Sequence, residues 1–166
     1  LPTGFDHFEV ITGYGGQGKY YHPIMNRNGK PTNYRGYTTE VITELNMNWL
    51  KNQRDPNKPF MLMMQHKAPH RAWLPSAKYM NAFKDKKFPE PTNLHTDYHG
   101  KASHVKKQDM MIKDSMNPSD LKLIPPKYLD GQDLANWHEA YDQENADFAK
   151  AKISGKALRS WNYQRY

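Results

Sequence analysis

The chain has 166 residues, a formal net charge of +7, a pI of about 9.4, a mean hydropathy of −1.02 and no cysteine. The missing thiol excludes a disulfide scaffold, a cysteine-held zinc or iron–sulfur centre and a cysteine nucleophile within these residues. No apolar run approaches the roughly 20 residues of a membrane span, and no charged-then-apolar leader is read at the start. Leu, Ile, Val and Phe make up about 16% of the chain, below the roughly 20% at which disorder becomes a fair reading, yet 11 Tyr, 6 Phe and 4 Trp are the opposite of a disordered composition. Such a balance fits part of a larger domain, one that holds much of its surface and little of its central core. Leu1, in place of Met, is consistent with an excised piece.

The first 37 residues carry Gly at 4, 13, 15, 16, 18, 29 and 36, interleaved with Tyr14, Tyr20, Tyr21, Tyr34 and Tyr37. This pattern reads as structured loop, with one short strand over Phe8–Thr12. Gly13–Gly18 has no strand-to-helix switch around it and no terminal Gly-Lys-Ser/Thr, so a tight turn beside a ligand or another loop fits better than a phosphate loop. Thr38 or Thr39 can cap a helix, Glu40 suits its first turn, and Val41, Ile42, Leu45, Trp49 and Leu50 recur at helical spacing. The spacing predicts a helix over about 39–53, stopped by Pro56 and Pro59. Phe60-Met-Leu-Met-Met64 is then expected to be a strand buried on both faces, as inside a parallel sheet.

Beyond Arg71 the pattern loosens. Pro75–Phe83 suits a short helix, Phe88–Pro91 an extended segment, and Asp109–Ser115 and Asp130–Lys150 are the plausible helices of a polar stretch over 84–150, with Pro125-Pro126 a stiff joint between them. Ser154 can cap a last helix carrying Leu158, Trp161 and Arg165 along one side. That helix is expected to be interrupted by the end of the chain.

Gln65-His66-Lys67-Ala68-Pro69-His70-Arg71 is the sharpest chemical cluster. It directly follows the expected strand, where α/β sheets bind ligands, and it gathers two imidazoles, an ammonium and a guanidinium. Pro69 stiffens the turn before His70, and cationic donors of this kind suit an anion. A solvated basic loop is the alternative. His66 and His70 are four apart, but Pro69 between them argues against a helical metal pair, and His95, His99 and His104 lack a carboxylate at ligand spacing. Ser115 and Ser119 lie in no nucleophile turn, and Lys84–Lys87 reads as a solvated helix end.

Gly4-Phe5-Asp6, the Gly16-Gln17-Gly18-Lys19-Tyr20-Tyr21-His22-Pro23 loop, Tyr37-Thr38-Thr39-Glu40-Val41-Ile42-Thr43, Pro59-Phe60 leading to His66-Lys67-Ala68-Pro69-His70-Arg71, and Trp161–Tyr166 together resemble the middle of a bacterial formylglycine-dependent sulfatase. These are the arylsulfatase-like members of the alkaline phosphatase superfamily. The resemblance is dense over 3–80 and again over 154–166. It implies an α/β sandwich, a mostly parallel sheet between helices, to which 39–70 contribute helix, strand and site loop, 84–150 a variable insertion and 154–166 the start of a helix.

It also implies hydrolysis of a sulfate ester by a formylglycine hydrate, with calcium and cationic side chains neutralising the sulfate oxygens. By resemblance His70 is the sulfate-contacting histidine, and Lys67, His66 and Arg71 are substrate-binding candidates. The Cys/Ser-x-Pro-x-Arg motif, the paired acidic calcium ligands and a Lys-x-His pair are not recognised in the chain, and the family's Asp-Asn/Gln pair lies, in relatives, after the segment matching Tyr166. Calcium is therefore expected only in a full-length enzyme, with ligands outside this segment, and the segment alone is expected to be inactive and without a tight calcium site. The implied partners are a sulfated glycan and the remainder of the sulfatase domain, with no nucleic acid; the implied location is periplasmic or secreted. A reading from another class, a non-catalytic basic module for anionic polysaccharide, rests on the charge and the aromatics.

Overall fold

The computed structural model describes residues 3–112 and 114–166. Two compact units divide the chain, Leu1–Ser76 and Ala77–Tyr166.

The first unit is built on a three-stranded antiparallel sheet of β1 (Glu9–Ile11), β2 (Ile24–Arg27) and β3 (Lys30–Asn33), in that spatial order. Val10 pairs with Asn26 and Ile11 with Met25 across one ladder, and Met25 with Thr32 across the other. Asn28 and Gly29, both at positive φ, make the turn between β2 and β3. This is the residue pair that a two-residue hairpin of primed type favours. The short strand expected over Phe8–Thr12 is β1; the hairpin that follows it was not anticipated from the sequence.

α1 (Thr38–Asn48) continues through a wider-wound turn, Trp49–Gln53, so the predicted helix runs its expected length. Its N-cap is Tyr37, not the expected Thr38 or Thr39, which lie within the helix with the Thr38 hydroxyl donated to the Lys19 carbonyl, and the Glu40 carboxylate lies in the first turn. Val41 and Ile42 pack on Met25, with Ile11, Tyr34 and Leu45 around them. Gly18 brings the chain against that cluster. Its φ is +64°, and a methyl added there would lie 2.1 Å from Ile11 Cγ2, so a side chain has no room.

Among the described residues the sheet is small and antiparallel; the mostly parallel sheet is expected of the whole domain, of which these residues are a part. One expectation fails here. Phe60–Met64 is not a buried strand. It is coil outside any ladder among the described residues, with Phe60, Met61 and Met63 exposed to 52%, 71% and 55%. An apolar run becomes a buried strand only where neighbouring strands pair its N–H and C=O groups and other elements cover its faces, and no described residues do so for this one.

The second unit has a short α2 (Ser103–Lys106), the long α3 (Gly131–Ala151) and α4 (Gly155–Arg165). Ser154 sits at the N-cap of α4, as expected, Asp130 at that of α3, and Lys152 turns the chain between them in the left-handed region. Phe148 stacks on Trp161 at 3.9 Å, and Trp137 is buried edge-on against Tyr141. Arg165 ties the end of α4 inward, donating to the Leu121 carbonyl and Asn145 Oδ1 at 2.8 Å each and pairing with Glu144. Gln164 brackets the extended Phe88, accepting from its N–H and donating to its carbonyl. The Pro75–Phe83 helix shrinks to one turn, Ala77–Tyr79, followed by further turns. The helix expected over Asp109–Ser115 is turn and coil at its described residues, and Lys113 lies outside them.

Candidate functional site

The His66–Arg71 loop turns on itself, with the His70 N–H donating to the Lys67 carbonyl at 2.9 Å and the Trp73 N–H to the His70 carbonyl at 3.2 Å. A trio of tyrosines holds it from beneath. Tyr20 and Tyr21 are buried, Tyr20 stacks on Tyr37 and Tyr21 meets Tyr37 edge-on. Their hydroxyls each donate to a backbone carbonyl of the loop and its exit: Tyr20 to His70, Tyr37 to Leu74 and Tyr21 to Pro75, the last two at 2.9 Å. Buried Thr38 locks the start of α1 to the same strand, its hydroxyl on the Lys19 carbonyl at 2.7 Å and its N–H on the Tyr20 carbonyl at 2.8 Å. Each hydroxyl is satisfied by a backbone carbonyl, the one at His70 accepting from the Trp73 N–H as well, so the burial of three polar rings costs no orphaned hydroxyl.

Above this base the cationic groups are accessible to different degrees. His66 and His70 are exposed, while Lys67 is half-buried. The Lys67 ammonium donates to the Gln17 carbonyl at 2.9 Å and lies 5.1 Å from the centre of the Tyr20 ring, and burial pulls its pKa below the ordinary lysine value. His70 Nδ1 faces the Arg71 carbonyl. A carbonyl only accepts, so Nδ1 carries a proton and Nε2 is the nitrogen left to meet a ligand, donating to an anion when the ring is an imidazolium. The Arg71 guanidinium is 6.0 Å from the centre of the Trp73 ring.

A cavity of about 610 Å³ opens beside the loop. Its lining includes the basic side chains His66, Lys67 and His70 and the apolar Phe8, Ile42, Leu45 and Trp49. Glu9, also on its wall, is engaged by Tyr34, His7 and Arg27, and the Tyr34 hydroxyl is pushed up to about 12 by burial and then by Glu9. His66, Lys67 and His70 thus line one cavity, and Arg71 lies next to them in the chain without lining it. The turn at Gly13–Gly18 abuts the loop through Gln17. The three tyrosines were missed as functional residues; their placement within a glycine-rich stretch was the available signal, read only as contact area.

No family model matches the chain. It is 39% identical, over 181 aligned positions and 99% of its length, to an N-acetylglucosamine-6-O-sulfatase of Bacteroides thetaiotaomicron. The chain is related to the sulfatases. It spans about a third of that relative's length (32%). All of it superposes with a TM-score of 0.93, at 38% identity, on 37% of the solved structure of BT4656, which was determined in complex with its substrate D-glucosamine-2-N,6-O-disulfate. The likeness extends through 81–153, where the sequence alone carried no recognised motif.

Proposed function

We propose that these residues are part of a sulfuric-ester hydrolase acting on sulfated glucosamine-type sugars, with the His66–Arg71 loop meeting the sulfate. The observation that carries it is the basic loop on the cavity wall, held by buried tyrosines, in a chain whose whole length matches proteins named for that chemistry. When a sulfate ester is cleaved, charge grows on the leaving oxygen and stays spread over the non-bridging oxygens, so fixed cationic donors lower the barrier. His70 is assigned the sulfate contact through Nε2. His66, Lys67 and Arg71 are assigned to substrate binding, with the Gln17 tether keeping the Lys67 ammonium close to His70.

The nucleophile is assigned to a formylglycine outside these residues, since they hold no cysteine and no Ser-x-Pro-x-Arg. The residues present do not build a calcium site: among the described residues no three His, Asp or Glu side chains come together. No step is therefore routed through the metal, whose ligands belong to the remainder of the domain in this reading. A periplasmic or secreted location goes with it; among the described residues no helix is long and apolar enough to cross a membrane.

The test is His70→Ala in a full-length polypeptide carrying this segment, with sulfate release from glucosamine 6-O-sulfate as readout. Loss of a donor to transition-state charge is expected to lower kcat by about 10²–10³-fold. A loss under about threefold rejects the assignment. Binding of heparin by the full-length polypeptide with no turnover of any sulfated hexosamine would favour the basic-module alternative.

A further inference from the structure

We infer that Tyr20 is a positioning residue for His70, fixing the histidine through its backbone, so that sulfate affinity at the loop depends on one buried phenol that never meets the ligand. The inference rests on the sulfate-contact reading of His70. Three observations converge on it. The Tyr20 ring is 3% exposed and stacked 6.1 Å from Tyr37 with 20° between the planes, so its hydroxyl has little freedom to wander. That hydroxyl donates to the carbonyl of His70 itself, whereas Tyr37 and Tyr21 hold Leu74 and Pro75, further along. The face of the same ring lies under the Lys67 ammonium, which is also held by the Gln17 carbonyl.

One side chain thus fixes both ends of the turn. At its start is Lys67, whose carbonyl accepts the His70 N–H, and at its end is His70. With Nδ1 turned to the Arg71 carbonyl, the direction of Nε2 is set by the peptide planes at 70 and 71, which the Tyr20 hydroxyl holds on one side. Exposed His66 lies before the turn and has no such tether, so the two imidazoles are expected to differ in order despite their similar exposure.

The test uses the 166-residue chain and NMR, comparing wild type with Tyr20→Phe and Tyr21→Phe. Tyr20→Phe keeps the ring under Lys67 and deletes only the hydroxyl; Tyr21→Phe deletes the same group from the same core and serves as control. In Tyr20→Phe the backbone order parameter at His70 is expected to fall while that at His66 stays. Titration with sodium sulfate, followed at the His70 ring, should then weaken by about two- to tenfold, the range of one hydrogen bond. Tyr21→Phe should leave both quantities at wild-type values.

Equal order and equal sulfate affinity in Tyr20→Phe and wild type, or an equal loss in Tyr21→Phe, overturns the inference. If Tyr20→Phe fails to fold, the wild-type order parameters decide: a His70 backbone no more ordered than that of the untethered His66 would overturn it. Loss of His70 order with no sulfate response in any variant would sink the sulfate-contact reading while leaving the tether standing.

Discussion

Lys122 shows how one residue sets a measurable property of the second unit. It is buried to 6% exposure at positive φ, its ammonium donates to the Asp120 carbonyl at 2.7 Å, and burial, with Arg165 nearby, pulls its pKa down to about 8 against the partial opposition of Asp120. Unfolded, the same group titrates near 10.5. Between these values the unfolded chain holds a proton that the folded one has shed, so stability rises with pH from about 8 towards 10, by an amount of order 3 kcal/mol over the full interval. Above about 10 the sign reverses through Tyr141, whose folded value near 12 means the folded state keeps a proton that the unfolded state loses. Chemical denaturation at pH 7, 8, 9 and 10 should show the rise, and Lys122→Met should flatten it while gaining stability at pH 7. A flat wild-type profile would show that the ammonium finds water. Gly18→Ala tests the first unit at the same scale. The positive φ and the 2.1 Å approach to Ile11 should together cost about 1–3 kcal/mol or more in thermal unfolding.

Among elements, the contrast between β2 and the Phe60–Met64 run separates burial from hydropathy. Met25, in β2, is packed among Val41, Ile42 and Ile11, so Met25→Ala should cost about 2–5 kcal/mol. Met61→Ala should change stability by no more than about 0.5 kcal/mol, because its side chain is already in water. Denaturant midpoints of the two variants check both. This pair also marks how far the sequence could be read. α1, α3 and α4 were legible because their caps and periodicity are local: Glu40, Asp130 and Ser154 stand where helix ends require them. The β2–β3 hairpin was legible in Asn28-Gly29 and passed over, since the flanking Ile24–Arg27 and Lys30–Asn33 show little alternation. The 60–64 strand could not be judged from its own residues, because whether an apolar run is covered depends on which elements lie beside it. In the candidate site, the identity of the cationic loop was legible from His66, Lys67 and His70, whereas the hydroxyls beneath it were not. A tyrosine that reaches across 37, 50 or 54 residues to a carbonyl has no short-range signature.

For the chain as a whole, the net charge of +7 predicts attraction to any polyanion, over and above recognition at the loop. The two contributions separate by salt. Screening lengths fall from about 10 Å at 0.1 M to about 3 Å at 1 M, so heparin retention should collapse across that range while the sulfate-dependent shift at His70, made at contact distance, falls far less. Equal salt sensitivity of the two would mean that the loop adds nothing beyond bulk charge. The exposed run at 60–64 has a further consequence in concentrated solution. Five apolar residues without charge or proline, in coil outside any ladder among the described residues, form a template on which a second copy can add a strand, and stacking of such segments is the route to cross-β fibres. Lys58 and Lys67 are the nearest gatekeepers on either side. The purified chain should therefore acquire thioflavin fluorescence at high concentration, and Met63→Lys should abolish it without touching the fold.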